Sequence, residues 1–242
     1  MTGVQSLTAA NPGPFTLAGT NTYVVGSSRV AVIDPGPDLP EHRASVVERV
    51  ASADSVVILL THDHADHIGG TGALGSRLRT ESRGPGGDLP VRDGDRFGTD
   101  AGVLVALSTP GHTMEHYCYH LVDADAVFVG DLLLGEGDTT WIGEYRGGVG
   151  DYLRSLDLLE QLGPGRLYPG HGPVIDDPLP RIDRFRKHRT ERIDQVRAAL
   201  NTAPDASLED LVVSVYPELP PNLRSAARYS VQAIVDYLAD GG

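Results

Sequence analysis

Short apolar runs alternate with stretches of helical periodicity through the first part of the chain, a pattern typical of a layered α/β domain. Residues 23–25 and 30–33 are two such runs, and the polar turn Gly26-Ser27-Ser28 between them predicts a hairpin that ends at Asp34. We also predict a helix over residues 40–50, a buried strand over 55–60 and a helix over 68–78. The predicted order of elements after the hairpin is therefore strand, loop, helix.

A similar order of patterns recurs in the second part of the chain. Residues 116–122 and 126–129 flank a polar turn and end at Gly130-Asp131, which again predicts a hairpin that leads to an acidic residue. A helix is predicted over residues 152–162 and a short strand over 166–168. We therefore expect two related halves packed face to face, with a surface excursion over the turn-rich residues 80–100.

Beyond residue 178 the pattern becomes helical only. A long helix is predicted over residues 181–200, and two shorter ones over 207–215 and 221–238, after a polar break at 201–206. This change predicts two domains, one over residues 1–178 and a small helical one over 179–242.

Composition excludes several classes of protein. The 242 residues, 40% of them hydrophobic, suffice for one substantial domain with an appendage. A formal charge of -13 argues against indiscriminate binding to nucleic acid or anionic lipid. The apolar runs are shorter than the roughly 18 residues that span a bilayer, so no membrane insertion is expected. A single cysteine, Cys118, and the lack of a secretory signal pattern favour a cytoplasmic protein.

The strand predicted over residues 55–60 is followed by Thr-His-Asp-His-Ala-Asp-His, a heptapeptide with three imidazoles and two carboxylates. Burying so many ionisable groups at the end of a core strand is unfavourable unless a cation pairs with them. In a loop that leaves a strand, His62 and His64 can turn to one side while Asp66 and His67 turn to the other. The segment therefore predicts a metal site that serves two ions, with Asp63 solvated or behind the ligands.

Three further candidate ligands lie where loops are expected to meet strand ends. They are His112, Asp131 and His171, each next to a glycine. Each one alone has an ordinary explanation as a turn residue. Together with the histidine cluster, they complete two metal shells.

This order of residues, His-X-His-X-Asp-His followed by a distal His, an Asp and a last His, resembles the metallo-β-lactamase fold superfamily of binuclear hydrolases. The resemblance covers residues from about 10 to 178 and implies a four-layer αββα sandwich. It implies that one ion is held by His62, His64 and His112, the other by Asp66, His67 and His171, with Asp131 bridging them. We therefore expect two divalent ions per chain, for which nitrogen and oxygen donors suit zinc and leave iron and manganese open. Cys118 is predicted to pack in the interior, as are His116 and His120 on the same strand face.

A two-metal centre implies a hydrolytic mechanism. Cations about 3.5 to 4 Å apart hold a water between them and lower its pKa toward about 7, so that the bridging hydroxide is the nucleophile. Asp66 and Asp131 are the predicted catalytic carboxylates, and Asp66 orients the nucleophile while it ligates. The substrate is not fixed by such a fold.

A finer resemblance, to the β-lactamase-like protein 2 family, bears on the substrate. It rests on residues 11–16, 19–23, 130–135 and 188–192, and it implies a small C-terminal winged-helix-like domain and cleavage of single-stranded RNA as an endoribonuclease. The chain stops just after its last predicted helix, so the wing of that domain is expected to be absent or not included. The residues expected near the substrate are His188, Arg189, Tyr23 and Asn21.

Local charge agrees with an anionic substrate only in part. Residues 181–197 hold seven Arg or Lys against three Asp or Glu, which could draw phosphate, although pairing along an ordinary solvated helix explains the run equally well. A small-molecule ester or thioester hydrolase of the glyoxalase II kind, or a lactone hydrolase, is therefore the alternative. No obligate protein partner is indicated, and the oligomeric state is left open.

Overall fold

The first sheet of the protein is built mainly from the N-terminal hairpin and a helical crossover. The computed structural model describes residues 3–242. Strands β1 to β3 are antiparallel neighbours, whereas β3, β4 and β5 run parallel, because helix α1 (Pro40–Arg49) carries the chain from β3 to β4. The strands, in sheet order, are β1 (Val4–Thr8), β2 (Asn21–Val25), β3 (Arg29–Ile33), β4 (Ser55–Leu59) and β5 (Ser82–Arg83).

The second sheet repeats this plan, as the sequence predicted. Strands β6 to β9 form an antiparallel series, and helix α4 (Gly148–Leu162) returns the chain so that β10 lies parallel to β9. The strands are β6 (Arg96–Thr99), β7 (Gly102–Ser108), β8 (Tyr117–Leu121), β9 (Ala126–Gly130) and β10 (Arg166–Pro169). Because β5 and β6 lie within residues 80–100, the surface excursion expected there is only partly correct.

Side chains alternate between the two faces of a strand, so strands made of continuous apolar runs give each sheet two apolar faces. One face packs on the other sheet and one on helices, which produces four layers. Val25, Ile33 and Phe128 are among the residues of one cluster that lies between the two sheets. The opposite face of the first sheet packs against α1 and α3 (Thr71–Leu78), and that of the second sheet packs against α4 and the C-terminal helices. The predicted αββα sandwich is confirmed.

The helix predicted over residues 68–78 is two helices in the structure. Helix α2 (Ala65–Ile68) is separated from α3 by Gly69 and Gly70. A Cβ atom at Gly69 would lie 2.6 Å from the Ala65 carbonyl oxygen and 2.9 Å from the Asp38 backbone nitrogen. Glycine is required at position 69 because the chain passes this close to the loop after β3.

The C-terminal region consists of three helices, close to the predicted bounds. They are α5 (Pro178–Thr202), α6 (Leu208–Val215) and α7 (Arg224–Ala239). A capping box between Ser207 and Asp210 begins α6. These helices share one apolar cluster with α4 and the second sheet, so the division at residue 178 remains a prediction. None of the helices described between residues 3 and 242 has the length and hydropathy needed to cross a membrane.

Candidate metal centre

The predicted metal ligands lie in loops that follow strands. Residues 61–67 follow β4, His112 lies between β7 and β8, Asp131 follows β9, and His171 follows β10. Parallel pairing of β9 with β10 places Asp131 and His171 at the same end of the second sheet. All seven predicted ligands come together at this end of the sandwich.

The first group of ligands consists of His62, His64 and His112. Their ligating atoms lie within 4.8 Å of one another, and His112 Nε2 is 3.0 Å from His64 Nδ1. His112 Nδ1 lies 2.9 Å from the Trp141 carbonyl oxygen, to which it can only donate. With burial holding the pKa of His112 at about 4, the neutral ring directs a lone pair on Nε2 into the site.

The tautomer of His62 follows from its neighbour Thr61. The Thr61 hydroxyl donates to Asp34 at 2.7 Å, so it accepts the hydrogen bond from His62 Nδ1 at 2.9 Å. The lone pair of His62 is therefore on Nε2, an atom that is fully buried and has no hydrogen-bond partner among the described residues. Burial, followed by the nearby His67 and His112, lowers the pKa of His62 well below its usual value, so the ring is neutral and suited to bind a cation.

The second group consists of Asp66, His67 and His171. His67 Nδ1 donates to Asp34 Oδ2 at 2.9 Å, and His171 Nδ1 donates to the Gly19 carbonyl oxygen at 3.2 Å. The two Nε2 atoms face each other at 3.3 Å, and Asp66 Oδ2 is 3.2 Å from His171 Nε2. Two imidazole lone pairs and a carboxylate thus point at one another.

Asp131 reaches both groups. Its Oδ1 is 3.4 Å from His67 Nε2, and its Oδ2 is 3.3 Å from His171 Nε2 and 3.7 Å from His112 Nε2. Oδ1 is buried and accepts no hydrogen bond from the residues described. The carboxylate therefore lies where the bridging ligand of the sequence analysis is expected.

These arrangements fit divalent cations. Unshared lone pairs of neutral imidazoles repel one another at 3.0 to 3.3 Å unless a proton or a cation lies between them. Burial disfavours a charged His171, but the Asp131 carboxylate outweighs it and raises the pKa to about 9. The carboxylates thus draw positive charge to this point, and a metal ion meets that demand without placing a proton on a ligand.

Asp34 was interpreted from the sequence only as the end of a hairpin, yet it is the residue that positions the first loop. It is 2% exposed, and its carboxylate accepts hydrogen bonds from the Thr61 backbone N–H at 2.8 Å, the Thr61 hydroxyl and His67 Nδ1. Asp34 thereby sets the tautomers of His62 and His67 together. The signal in the sequence was the parallel with Asp131, an acidic residue at the end of a strand.

Close packing of the backbone completes the second group. A Cβ atom at Gly170 would lie 2.5 Å from Asp131 Oδ1 and 2.6 Å from His67 Cε1. No side chain fits there without displacing a ligand. The residue before His171 must therefore be glycine.

Two residues predicted near the substrate hold this same loop. Asn21 Nδ2 donates to the carbonyl oxygens of Pro169 and Gly172 at 3.1 and 2.9 Å, and the Tyr23 hydroxyl donates to Pro169 at 2.7 Å. Both side chains are at least 95% buried. Neither residue lines the cavity beside the candidate ligands; both hold the loop that carries His171, and their place near a substrate stays a prediction.

The other polar residues singled out in the sequence lie as expected, except that His120 is only half-buried. Asp63 is exposed, Cys118 is fully buried in the apolar cluster of the second sheet, and His116 is 1% exposed with Nδ1 bonded to the Thr109 hydroxyl. His116 also stacks on His62 at a ring distance of 5.4 Å. The prediction that these residues pack in the interior is confirmed for Cys118 and His116.

A cavity of about 790 Å³ opens beside the candidate ligands. The ligands His64, Asp66, His112, Asp131 and His171 line one side of it. The other walls are largely apolar or aromatic, and several come from the C-terminal helices and the segment before them. They include Phe15, Leu134, Trp141, Tyr216, Leu223 and Tyr229. His188 and Arg189, the other two residues predicted near the substrate, also line the cavity.

Known proteins share this fold and these sequence features. Residues 15–103 and 77–171 match the family model of the metallo-beta-lactamase superfamily, and residues 207–242 match the beta-lactamase associated winged helix domain. A Beta-lactamase-like protein 2 homolog of Caenorhabditis elegans is 32% identical, covering 99% of this chain and 85% of the relative.

Two further relatives bear on substrate and fold. A protein of Aspergillus chevalieri named atrochrysone carboxyl ACP thioesterase is 33% identical, covering 93% of this chain and 76% of its own length. A metallo-beta-lactamase family protein from Thermus thermophilus has a TM-score of 0.82 at 23% identity, covering 99% of this chain and 94% of that one, and shows the shared fold.

Proposed function

This chain belongs to the metallo-β-lactamase superfamily and is a metal-dependent hydrolase, and from that premise we propose that it uses two metal ions to cleave small esters or thioesters with an apolar acyl group. The observation that carries the substrate class is the cavity of about 790 Å³ beside the ligands. Its size suits a small molecule. Its aromatic and aliphatic walls favour binding of an apolar acyl group, because that group is transferred from water to apolar surroundings. The name of the Aspergillus relative, a thioesterase, supports the same class.

The alternative substrate, single-stranded RNA, requires exposed cations that attract phosphates. Most arginines of α5 are instead paired within the chain. Arg186 bonds Asp157 and Glu160, Arg197 bonds Asp194, and Arg181 donates to the carbonyl oxygens of Gly135 and Gly137. Contacts within the chain therefore occupy these three side chains, which leaves fewer cations free for phosphates and favours a small substrate over a polyanion.

Seven side chains of this chain would hold the ions. They are His62, His64 and His112 in one group, Asp66, His67 and His171 in the other, and Asp131 between them. When bound, divalent cations in such a centre lower the pKa of a water molecule and polarise the carbonyl under attack. Zinc, iron and manganese all suit these nitrogen and oxygen donors.

Asp66 is held ready as an ionised group. Burial raises the pKa of its carboxyl, but positive charge at His171 and His67 outweighs burial and brings the pKa to about 2, and a bound cation would supply the same positive charge. Thr20 donates its hydroxyl proton to Asp66 Oδ2 at 3.2 Å and so fixes the carboxylate orientation. Asp66 can thus ligate and orient the attacking group, while the apolar walls hold the acyl group and exclude bulk water.

A substrate panel tests the proposal. The panel pairs a benzoyl with an acetyl thioester of the same thiol and adds an aryl ester, a lactone and a single-stranded RNA oligonucleotide, each with and without a chelator. We expect chelator-sensitive hydrolysis in which the benzoyl thioester exceeds the acetyl thioester in kcat/KM by at least about tenfold, because each buried CH₂ equivalent contributes about 0.8 kcal/mol. Chelator-sensitive cleavage of RNA, with every ester and thioester left intact, would overturn it.

A further inference from the structure

Arg189 is a buried cation that has no acidic partner in the described part of the chain. The residue is 2% exposed, and its single hydrogen bond within residues 3–242 runs from Nη2 to the Thr140 carbonyl oxygen at 2.9 Å. The guanidinium lies over the Tyr152 ring, with Cζ 5.6 Å from the ring centroid, and Nε is buried without an acceptor. Burying a guanidinium without a counter-charge is costly.

Arg189 differs in this respect from Arg186, which lies one turn earlier on the same helix. Arg186 is partly exposed and bonds the carboxylates of Asp157 and Glu160 at 2.5 and 2.7 Å. The helix therefore neutralises its outward-facing cation and leaves the cavity-facing one without a counter-charge. Such an arrangement is expected where a ligand supplies the missing anion.

His188 adds a second N–H group beside Arg189. Its Nε2 accepts a hydrogen bond from Arg192 Nε at 3.4 Å, so the proton of the neutral ring is on Nδ1. Nδ1 is buried and has no acceptor among the residues described. Both His188 and Arg189 line the cavity, so this part of its wall carries two buried donors that no described residue satisfies.

We propose that Arg189, with His188, forms a subsite that binds a carboxylate carried by the acyl part of the substrate. This inference rests on the proposed function and narrows its substrate class to apolar acyl compounds that bear an anion. The cavity places an apolar wall and an anion subsite within one small volume shared with the metal ligands. A compact acid matches that combination better than a nucleic acid strand does.

Binding of small probes tests the subsite without turnover. Trp141 is the single tryptophan of the chain and lines the cavity, so its fluorescence reports occupancy. The probes are cyclohexanecarboxylate and cyclohexanecarboxamide, which match in shape and differ in charge. On the metal-loaded protein we expect the carboxylate to bind at least about tenfold more tightly than the amide, the strength of one charge-assisted hydrogen bond.

Substitutions assign that preference to a residue. Arg189→Met should make the two probes bind equally, and Arg189→Lys should retain part of the preference because it keeps the charge but loses the planar fork. Arg186→Met removes the same charge from the same helix outside the cavity and should keep the full preference. If Arg189→Met does not fold, the Lys variant and His188→Leu, which should weaken the preference, carry the test.

Three results would overturn the subsite. One is equal binding of both probes by the wild-type protein, and another is an undiminished preference in the Arg189 variants, which would place the carboxylate on the metals. The third is that inorganic phosphate or an RNA oligonucleotide displaces the probe more strongly than a second carboxylate does, and that this displacement depends on Arg189. Hydrolysis of a neutral thioester is measured on the same samples, so a failed subsite and a failed hydrolase remain distinguishable.

Discussion

At the scale of single residues, the site depends on side chains that hold the ligands as much as on the ligands themselves. Asp34 is the clearest case, because one buried carboxylate fixes the ring orientation of His67 directly and that of His62 through Thr61. Partners of this kind raise ligand basicity and select the tautomer. The loss of such a partner should therefore appear first in metal affinity.

Asp34→Asn should weaken metal binding by about 10- to 100-fold, since the amide retains the shape of the carboxylate but not its charge. The measurement is competition with a chelator of known affinity, followed by elemental analysis. Asp63→Asn is the matched control, because Asp63 lies in the same loop but is exposed. Equal metal affinity in both variants would show that Asp34 does not support metal binding.

Asp131→Ala should lower metal content and abolish hydrolysis, because the carboxylate lies within 3.7 Å of His112 on one side and 3.4 Å of His67 on the other. Metal per chain is measured after purification without added metal and again after reloading. A variant that reloads fully and keeps its activity would show that the bridging ligand has been misassigned.

The candidate ligands could be identified from the sequence, whereas the residues that hold them could not. His62, His64, Asp66 and His67 stand close together in one segment, so crowding of ionisable groups is itself the signal. Asp34 acts on Thr61 and His67 only because β3 pairs with β4 in one register, with Ile33 opposite Leu59. Register is a tertiary property, and a lone Asp before Pro-Gly has an ordinary explanation as a turn residue.

At the scale of elements, the loop after β10 is shaped by packing that leaves no space for a side chain at Gly170. Gly170→Ala should reduce metal content, because the new Cβ would overlap Asp131 Oδ1 and His67 Cε1. Gly72→Ala, in the first turn of α3 with no atom within 4 Å of the new Cβ, is the control and should stabilise the fold by about 0.4 to 1 kcal/mol. Elemental analysis and urea unfolding measure the two effects, and a Gly170 variant with full metal content would contradict the prediction.

The hairpins and most helices with strong apolar patterns were predicted close to their bounds, but β7 was missed despite its apolar residues, and so were the weakly patterned strands. The hairpin of β2 and β3 has runs of β-branched residues on both sides of a short turn. By contrast, β5 has only two residues, and β6 contains Arg96 and Gly98 and pairs only with β7. Such strands form because the backbone of a neighbouring strand has free hydrogen-bonding groups. A local sequence pattern does not reveal that neighbour.

At the scale of the whole molecule, the C-terminal helices are linked to the metal centre through one short segment. The Trp141 carbonyl oxygen accepts from His112, and the Trp141 indole N–H donates to the Ala226 carbonyl oxygen of α7 at 3.2 Å. The adjacent Thr140 carbonyl oxygen accepts from Arg189 of α5. The sequence predicted separate domains over residues 1–178 and 179–242, but one apolar cluster contains α4, α5 and α7.

Thermal unfolding tests whether these parts behave as one unit. Metal binds the native state only, so at a free metal concentration about 100 times Kd it should stabilise the fold by about 2.7 kcal/mol. For a chain of this length that corresponds to a rise in Tm of about 5 to 11 °C. Because the helices of both parts share a core, we expect one cooperative transition, followed by circular dichroism at 222 nm and by Trp141 fluorescence, that a chelator moves as a whole. Two transitions, of which a chelator moves only one, would instead show that residues 179–242 unfold independently and would support the division at residue 178.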